Sequence, residues 1–304
     1  MFTQFNEAEN HHFSAVNGNN LWYQTFGNRE AKPLLLMNGG GPRASMWPQA
    51  FCEMLASHGF FVIRYDHRGS GYSSATDQCY DLKILAEDAS CLINNLGLNK
   101  VNVVGASMGG WIAMLLAALH PEKIISLTCM ITGDLNSFLN GTNDAVTICA
   151  KPKASYLSFL ASVQDQSKQD VMTIEDKIQF YLACWKICNG DETPFDENLF
   201  RSIIEDAFFS ANATNILNQQ MQAMQVSNDA GHLDWALPNI KLPTLIIQGM
   251  SDPIFLPDHG EYLKKRIANA KLEKIAGMGH VISPFYYETL VEKLEIFINE
   301  IYYC

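Results

Sequence analysis

The sequence predicts an α/β fold in which helices flank a mostly parallel central sheet that carries an inserted helical segment. Short apolar runs alternate with stretches of helical periodicity, which is typical of such a sheet. The runs are almost uninterrupted, as expected for strands that are buried on both faces. They are Leu34–Met37, Phe61–Tyr65, Val101–Val104, Ile125–Ile131, Thr244–Ile247 and Lys271–Ile275.

Three of the intervening stretches predict helices clearly. Between Leu82 and Leu96 apolar residues recur at helical spacing, and Gly97 is a suitable residue to end that helix. The stretch Trp111–Leu119 is apolar on all sides, as in a helix surrounded by its neighbours. The tail Leu290–Ile301 is amphipathic and closes the domain.

One long stretch, 132–235, shows only helical patterns and turns and therefore predicts an inserted cap. The predicted domains are an α/β core formed by 1–131 and 236–304, and a helical cap formed by 132–235. Ligand sites favour domain interfaces, so some aromatic side chains of the cap are expected to line a pocket. The aromatic residues of this stretch are Tyr156, Phe159, Phe180, Tyr181, Trp185, Phe208 and Phe209.

The composition narrows the class of function. The 304 residues carry a formal net charge of −11, which disfavours a nucleic-acid partner. No segment approaches the length of about 20 apolar residues that a membrane span needs. The start of the chain lacks a secretory pattern and the eight cysteines lack a disulfide or metal spacing, so we expect a cytoplasmic protein without metal or cofactor. The sequence leaves open whether the chain forms a homodimer.

The segment Gly105–Gly109 matches the pattern G-x-S-x-G, with Ser107 at its centre. It directly follows a predicted strand and directly precedes a predicted helix, which is the setting this nucleophile motif requires. Small residues on both sides allow a sharp turn that exposes the hydroxyl, and the helix N-terminus points free N–H groups at developing negative charge. Ser107 is the predicted nucleophile.

A serine nucleophile needs a base, and His280 is the preferred candidate. It follows the last predicted strand in Gly277-Met278-Gly279-His280, at the sheet edge where sites form in open α/β sheets. His232 is the strongest rival, and His67 also follows a strand but precedes a turn-like sequence. We expect His259 to be a surface residue of a helix.

The acid that orients the base is expected between the serine and the histidine in the chain. Asp252 follows the strand run Thr244–Ile247 and would accept a hydrogen bond from the imidazole. Asp134, one strand earlier, and Asp258 are the alternatives.

A glycine-rich loop, Asn38–Pro42, follows the first strong strand. Glycine lets the backbone approach a substrate closely, so an N–H of this loop is suited to an oxyanion. We expect the N–H groups of Gly40 and Met108 to form the oxyanion hole. No phosphate-loop motif accompanies the glycines, which disfavours nucleotide binding.

Together these motifs resemble the α/β-hydrolase superfamily over nearly the whole chain, and aclacinomycin methylesterase-like enzymes in particular. The resemblance includes the D-x-R-G-x-G-x-S pattern and four further stretches; the five segments are 66–73, 63–68, 190–196, 243–253 and 275–280. It implies an α/β-hydrolase fold, triad roles for Ser107, Asp252 and His280, and oxyanion roles for Gly40 and Met108. The enzymes of that group hydrolyse a carboxylic methyl ester whose ring system is held against an apolar cap. The glycine loop also resembles that of proline iminopeptidases, with its glycines in a different order.

The expected function is therefore hydrolysis of a small-molecule carboxylic ester through an acyl-enzyme. The alternatives are a same-triad amidase or iminopeptidase, a carbon–carbon bond hydrolase, and a non-catalytic ligand-binding protein. An iminopeptidase would present acidic cap residues to an amine, and the candidates are Glu175, Asp191, Glu192 and Glu205.

Overall fold

The computed structural model describes residues 11–41, 43–140, 148–164, 172–208 and 216–303. Their centre is an eight-stranded sheet with the strand order β1-β2-β4-β3-β5-β6-β7-β8. From β4 to β8 neighbouring strands are parallel, and only β1 and β2 run antiparallel to their neighbours. The strands are β1 His11–Val16, β2 Asn19–Phe26, β3 Lys32–Met37, β4 Phe60–Tyr65, β5 Val101–Ala106, β6 Ile124–Met130, β7 Thr244–Gly249 and β8 Ala270–Ile275.

The predicted mostly parallel sheet is confirmed, and each predicted strand lies within two residues of the observed bounds. The first two strands were not predicted. They form a hairpin whose turn is Asn17-Gly18, and both residues have positive φ, 46° and 80°. Asn-Gly is a strong signal for such a turn, because both residues tolerate the left-handed conformation. Apolar and polar residues alternate too irregularly in this edge hairpin for its two strands to be recognised in the sequence.

Helices cover both faces of the sheet. Outside the stretch between β6 and β7 they are α1 Gln49–Ser57, α2 Leu82–Asn95, α3 Met108–Leu119, α10 Pro257–Arg266 and α11 Tyr287–Tyr302. The Asp81 side chain begins α2 by accepting a hydrogen bond from the Ile84 N–H, and Gly97 follows its end at φ 68°. The three clearly predicted helices are confirmed as α2, α3 and α11.

Successive side chains of a strand pack alternately into two separate hydrophobic cores, one on each face of the sheet. Leu35 and Met37 belong to the core under α2 and α3, whereas Leu34 and Leu36 belong to the core under α1 and α11. This alternation follows from the two-residue period of a strand and explains why the central strands are apolar throughout.

Between β6 and β7 the described residues form helices and no strand, as predicted. The helices are α4 Leu135–Leu139, α5 Ala154–Gln164, α6 Ile174–Asn189, α7 Glu197–Phe208, α8 Ile216–Asp229 and α9 His232–Asn239. A small core of their own joins α6 to α7, formed by Ile178, Leu182, Phe200, Ile203 and Ile204. The expected boundary after Trp235 falls within α9. Phe209 and the side chain of Phe208 lie outside the described residues.

None of the helices in the described ranges is long and apolar enough to cross a membrane.

We expect Arg68→Met to destabilise the fold strongly. Arg68 donates two hydrogen bonds to Asp88, at 2.6 and 2.5 Å, and both residues are buried. Removing the guanidinium leaves a buried carboxylate without its counter-charge, which costs about 3–5 kcal/mol of unfolding free energy. Urea unfolding measures this loss. The control is Arg201→Met, which breaks an ion pair with the exposed Glu175 and should have a several-fold smaller effect. Equal losses in the two variants would contradict the expectation.

Stability should also fall in mild acid because of His67. Burial lowers the pKa of His67 from its ordinary 6.5 to about 4. Between pH 6.5 and about 4 the His67 ring is protonated in the unfolded chain but neutral in the folded chain. The free energy of unfolding therefore decreases as the pH falls from 6.5 towards 4. The shift corresponds to about 3 kcal/mol. His67→Gln keeps an N–H donor but cannot titrate, so its unfolding free energy should fall less between pH 7 and pH 4. Parallel pH profiles for the two proteins would refute this assignment.

Candidate active site

Ser107 occupies the turn between β5 and α3, and the turn is strained. Its φ is 53° and its ψ is −121°, a conformation that residues with a side chain rarely adopt. The two flanking glycines are required by space. A Cβ on Gly105 would lie 2.2 Å from the Gly109 carbonyl oxygen, and a Cβ on Gly109 would lie 2.2 Å from that of Met37. Helix α3 therefore follows β5 with only Ser107 between them, and Ser107 lies at the tip of this turn.

The structure brings Ser107, His280 and Asp252 together in one hydrogen-bonded chain. His280 Nδ1 lies 2.8 Å from a carboxylate oxygen of Asp252, and His280 Nε2 lies 3.0 Å from Ser107 Oγ. The carboxylate can only accept, so Nδ1 carries the hydrogen and Nε2 is free to accept the serine hydroxyl proton. This is the arrangement in which a histidine acts as general base towards a serine.

Asp252 is almost completely buried and is held by its own backbone neighbourhood. Its second carboxylate oxygen accepts the N–H groups of Ile254 and Phe255, at 2.8 and 3.0 Å. These bonds satisfy the charge and fix the direction of the oxygen that faces His280. Asp252 lies in the loop after β7, as expected from the sequence.

His280 is held from the helical segment as well as from the core. Its backbone N–H donates to the carbonyl of Cys188 on α6, at 2.5 Å. The ring of Phe255 packs beside the imidazole, with the ring centres 5.5 Å apart. A Cβ on Gly279 would lie 2.2 Å from the Cys188 carbonyl oxygen, so glycine is needed for this approach.

The alternative acids and bases make other contacts. Asp134 begins α4 by accepting from the Ser137 N–H and hydroxyl, and Asp258 accepts the N–H of Ala150. The Asp134 carboxylate therefore caps a helix, and the Asp258 carboxylate binds a backbone N–H from a distant part of the chain. His232, the first residue of α9, has its Nδ1 atom 3.7 Å from a carboxylate oxygen of Asp81.

The expectation that His259 is a surface residue was wrong. Its side chain is buried, Nδ1 accepts the Asp134 N–H at 3.1 Å, and Nε2 donates to the Ala150 carbonyl at 2.8 Å. Its helix, α10, carries three basic residues in its last turn, and such charged residues are typical of an exposed helix. The contacts come from distant parts of the chain, so no local pattern signals them.

The glycine-rich loop after β3 lies against the serine. A Cβ on Gly39 would lie 3.1 Å from the Ser107 Cβ, whereas a Cβ on Gly40 would have only the side-chain oxygen of Gln220 nearby, at 3.6 Å. Met108 begins α3 immediately after Ser107. The two segments that carry the expected oxyanion donors therefore flank the serine. Pro42 lies outside the described residues.

Two residues of the D-x-R-G loop anchor the ends of the glycine loop. His67 Nε2 donates to the Asn38 carbonyl at 3.1 Å, and an Asp66 carboxylate oxygen accepts the Ala44 N–H at 2.6 Å. Burial lowers the pKa of His67, so the ring is neutral, and burial raises the pKa of Asp66 to about 6. Above that pH the Asp66 carboxylate is charged and accepts from the loop as a strong acceptor.

Above the serine lies a cavity of about 230 Å³, mostly apolar in its walls. Four of the aromatic residues considered from sequence line it, namely Tyr156, Phe159, Tyr181 and Trp185, together with Phe138 and Phe200. Phe180 does not line it but packs on Phe159, with ring centres 4.7 Å apart. Among the described lining residues no side chain is acidic; Arg43 and His280 are the basic ones.

Two further residues at this cavity, Arg43 and Gln220, were not anticipated from sequence. Arg43 pairs with Asp206 of α7 at 2.6 Å, and Gln220 of α8 bonds to the backbone of Gly41. Both contacts join residues more than 150 positions apart, and a lone Gln or Arg in a loop or helix carries no sequence signal for such a partner.

Comparison with known proteins agrees with this geometry. Residues 32–285 match the family model described as the alpha/beta hydrolase fold. The chain is 32% identical over 283 residues to a rhodomycin D methylesterase from Streptomyces peucetius, covering 89% of this chain and 92% of that protein. The fold is also that of the enol-lactonase from Burkholderia xenovorans LB400, with a TM-score of 0.73, 23% identity, and coverage of 95% of this chain and 100% of that one. The resemblance predicted from the motifs is thus confirmed. The chain belongs to the α/β-hydrolase fold family, and within it the chain is a carboxylic ester hydrolase.

Proposed function

We propose that the protein hydrolyses a small-molecule carboxylic ester, with an apolar acyl group and a small or methyl alcohol group, through an acyl-enzyme on Ser107. His280 is the general base and then the general acid, and Asp252 orients it. The N–H groups of Gly40 and Met108 hold the oxyanion. The observation that carries the proposal is the chain of hydrogen bonds from Asp252 through His280 to Ser107, which ends at the floor of the apolar cavity.

The chemistry follows from the positions of the protons. As Ser107 Oγ attacks the ester carbon, its proton passes to His280 Nε2, and the carbonyl oxygen becomes an oxyanion. When this intermediate collapses, the alcohol leaves with the proton from His280 and the acyl group stays on Ser107. Water then gives a proton to His280, attacks the acyl carbon, and the serine oxygen leaves with that proton. The products are the acid and the alcohol.

Two features support the oxyanion assignment. The Met108 N–H is at the first turn of α3, where backbone donors have no partner within the helix and the helix dipole favours negative charge. Gly40 follows Gly39 in the glycine loop, and a Cβ on Gly39 would lie only 3.1 Å from the Ser107 Cβ. Two fixed donors near a nucleophile typically stabilise the tetrahedral intermediate more than any other single contribution.

We further propose that residues 132–235 act as a cap on a core formed by 1–131 and 236–304. The cavity wall opposite the triad comes from this stretch, since α5, α6, α7 and α8 all contribute lining residues. Such a cap would decide which acyl groups reach Ser107.

The acyl group is proposed to be aromatic or polycyclic. Among the described residues, eight aromatic rings line the cavity: the six named above together with Trp47 and Trp111. They offer flat apolar surface, on which planar rings stack favourably. The relative from Streptomyces peucetius is, by its name, a methylesterase of rhodomycin D. The absence of acidic side chains among the described lining residues argues against an amine-binding iminopeptidase. Of the acidic residues considered for that role, Glu175 and Glu205 pair with Arg201 in ion pairs of half-exposed side chains.

Ser107→Ala should abolish hydrolysis of methyl and p-nitrophenyl esters, because it removes the atom that attacks. The expected fall in kcat is at least about 10⁴-fold, and Asp252→Asn should also lose about 10⁴-fold because it favours the wrong tautomer of His280. Intact mass after reaction with a fluorophosphonate should show one adduct on the wild type and none on Ser107→Ala. The control is Asp134→Asn, which alters the rival acid and should change kcat little.

The outcomes separate the alternatives. Esterase activity that survives in Ser107→Ala would overturn the proposed mechanism. A folded wild type that forms no adduct and cleaves no ester would favour the ligand-binding alternative. Adduct formation without ester turnover, together with cleavage of an anilide or a diketone, would move the reaction to an amide or carbon–carbon bond.

Trp185→Ala should reduce selectivity for aromatic acyl groups. Trp185 lines the cavity and packs edge-on against Phe200, with the ring centres 5.2 Å apart. The kcat/KM for the methyl ester of an aromatic acid is expected to fall about 10- to 100-fold, while that for p-nitrophenyl acetate should change little. The control is Trp235→Ala, since Trp235 lies on the same segment but is half-exposed. Equal losses on both esters would contradict an acyl-binding role.

A further inference from the structure

Gln220 ties the helical segment to the glycine loop by two hydrogen bonds to one residue. Its side-chain oxygen accepts the Gly41 N–H at 2.8 Å, and its side-chain nitrogen donates to the Gly41 carbonyl at 3.1 Å. The residue is only 1% exposed, although it lies on α8 and the loop lies on the core. An amide that pairs with both backbone groups of one glycine fixes the plane of the adjacent peptides, as a neighbouring strand would.

The loop needs such an external support. Three consecutive glycines, Gly39, Gly40 and Gly41, lose more conformational freedom on ordering than any other residues would. Gly41 has a φ of 152°, which L residues rarely adopt. His67 holds the start of the loop at Asn38, and Asp66 holds its end at Ala44. Gln220 acts at the middle, next to the N–H that is proposed to receive the oxyanion.

A second contact from the helical segment acts on the same stretch of chain. Arg43 pairs with Asp206 of α7, and its guanidinium lies over the ring of Tyr72, 3.9 Å from the ring centre. The loop is thus held by two helices of the segment, α7 at Arg43 and α8 at Gly41. Both helices also line the cavity that would receive the acyl group.

We propose that Gln220 is a positioning residue for the oxyanion hole, which fixes the Gly40 N–H only while α8 lies on the glycine loop. The inference rests on the proposed esterase function. Acylation would then depend on the contact between α8 and the glycine loop. A substrate that holds α8 in this contact would also hold the Gly40 N–H in place. An oxyanion donor acts only when it lies within a few tenths of an ångström of its productive position, so a small release of the loop would slow acylation.

The test compares Gln220→Met with Gln219→Met. Methionine matches the length of glutamine but cannot form the hydrogen bonds. Gln219, the neighbouring residue on α8, donates to the Thr76 carbonyl at 3.1 Å and so also joins the helix to the core, away from the glycine loop. Loss of a simple helix–core hydrogen bond is therefore common to both variants, and release of Gly41 is specific to Gln220→Met.

Stopped-flow release of p-nitrophenol measures the acylation rate constant separately from the dissociation constant of the ester. In Gln220→Met the acylation rate constant should fall about 10- to 100-fold while the dissociation constant changes less than about two-fold. Affinity for a trifluoromethyl ketone, whose adduct carries an oxyanion, should fall by the same factor as acylation. Gln219→Met should match the wild type in all three quantities.

Three results would overturn the inference. They are unchanged acylation in Gln220→Met, an equal loss in Gln219→Met, and a weaker ester affinity with unchanged affinity for the ketone. The inference can fail while the proposed function stands, because Ser107→Ala then remains inactive and the wild type still forms its adduct. If Ser107→Ala keeps activity, the proposed function fails first.

Discussion

The whole arrangement depends on the contact between the end of β5 and the start of α3. A Cβ on Gly105 would meet the Gly109 carbonyl oxygen, and a Cβ on Gly109 would meet the carbonyl oxygens of Met37 and Asn38, so no side chain fits at either position. This contact forces Ser107 into a strained conformation and aims its hydroxyl away from the sheet. The same turn directs the first free N–H groups of α3 to the point where Ser107 would attack. The candidate nucleophile and the proposed oxyanion donor on α3 therefore depend on the same geometric constraint.

The partners of Ser107 come from the ends of other strands, which explains how distant residues converge. Asp252 follows β7 and His280 follows β8, and parallel strands present their carboxyl ends at one edge of the sheet. Buried polar groups then hold each loop in place: Asp252 accepts two backbone N–H groups, and Asp66 and His67 fasten the glycine loop. In a site of low dielectric these bonds are strong, and an unpaired group would be costly.

The helical segment between β6 and β7 has a different relation to the core. Its aromatic residues form the wall of the cavity, yet it also reaches the catalytic loops through backbone and side-chain contacts. Cys188 accepts the His280 N–H, and Gln220 pairs with Gly41. The helices that line the cavity therefore also contact the loops that carry His280 and Gly41.

The sequence by itself determined the six strands β3 to β8, three of the flanking helices and the candidate residues Ser107, His280 and Asp252. Apolar periodicity and glycine spacing are local, and the order of parallel strands then places their ends together. Only the tertiary structure decided which aromatic residues of the helical segment face the cavity, that His259 is buried, and that Gln220 holds Gly41. Such contacts join residues far apart in the chain, and their energy depends on burial and hydrogen-bond geometry that no local pattern encodes.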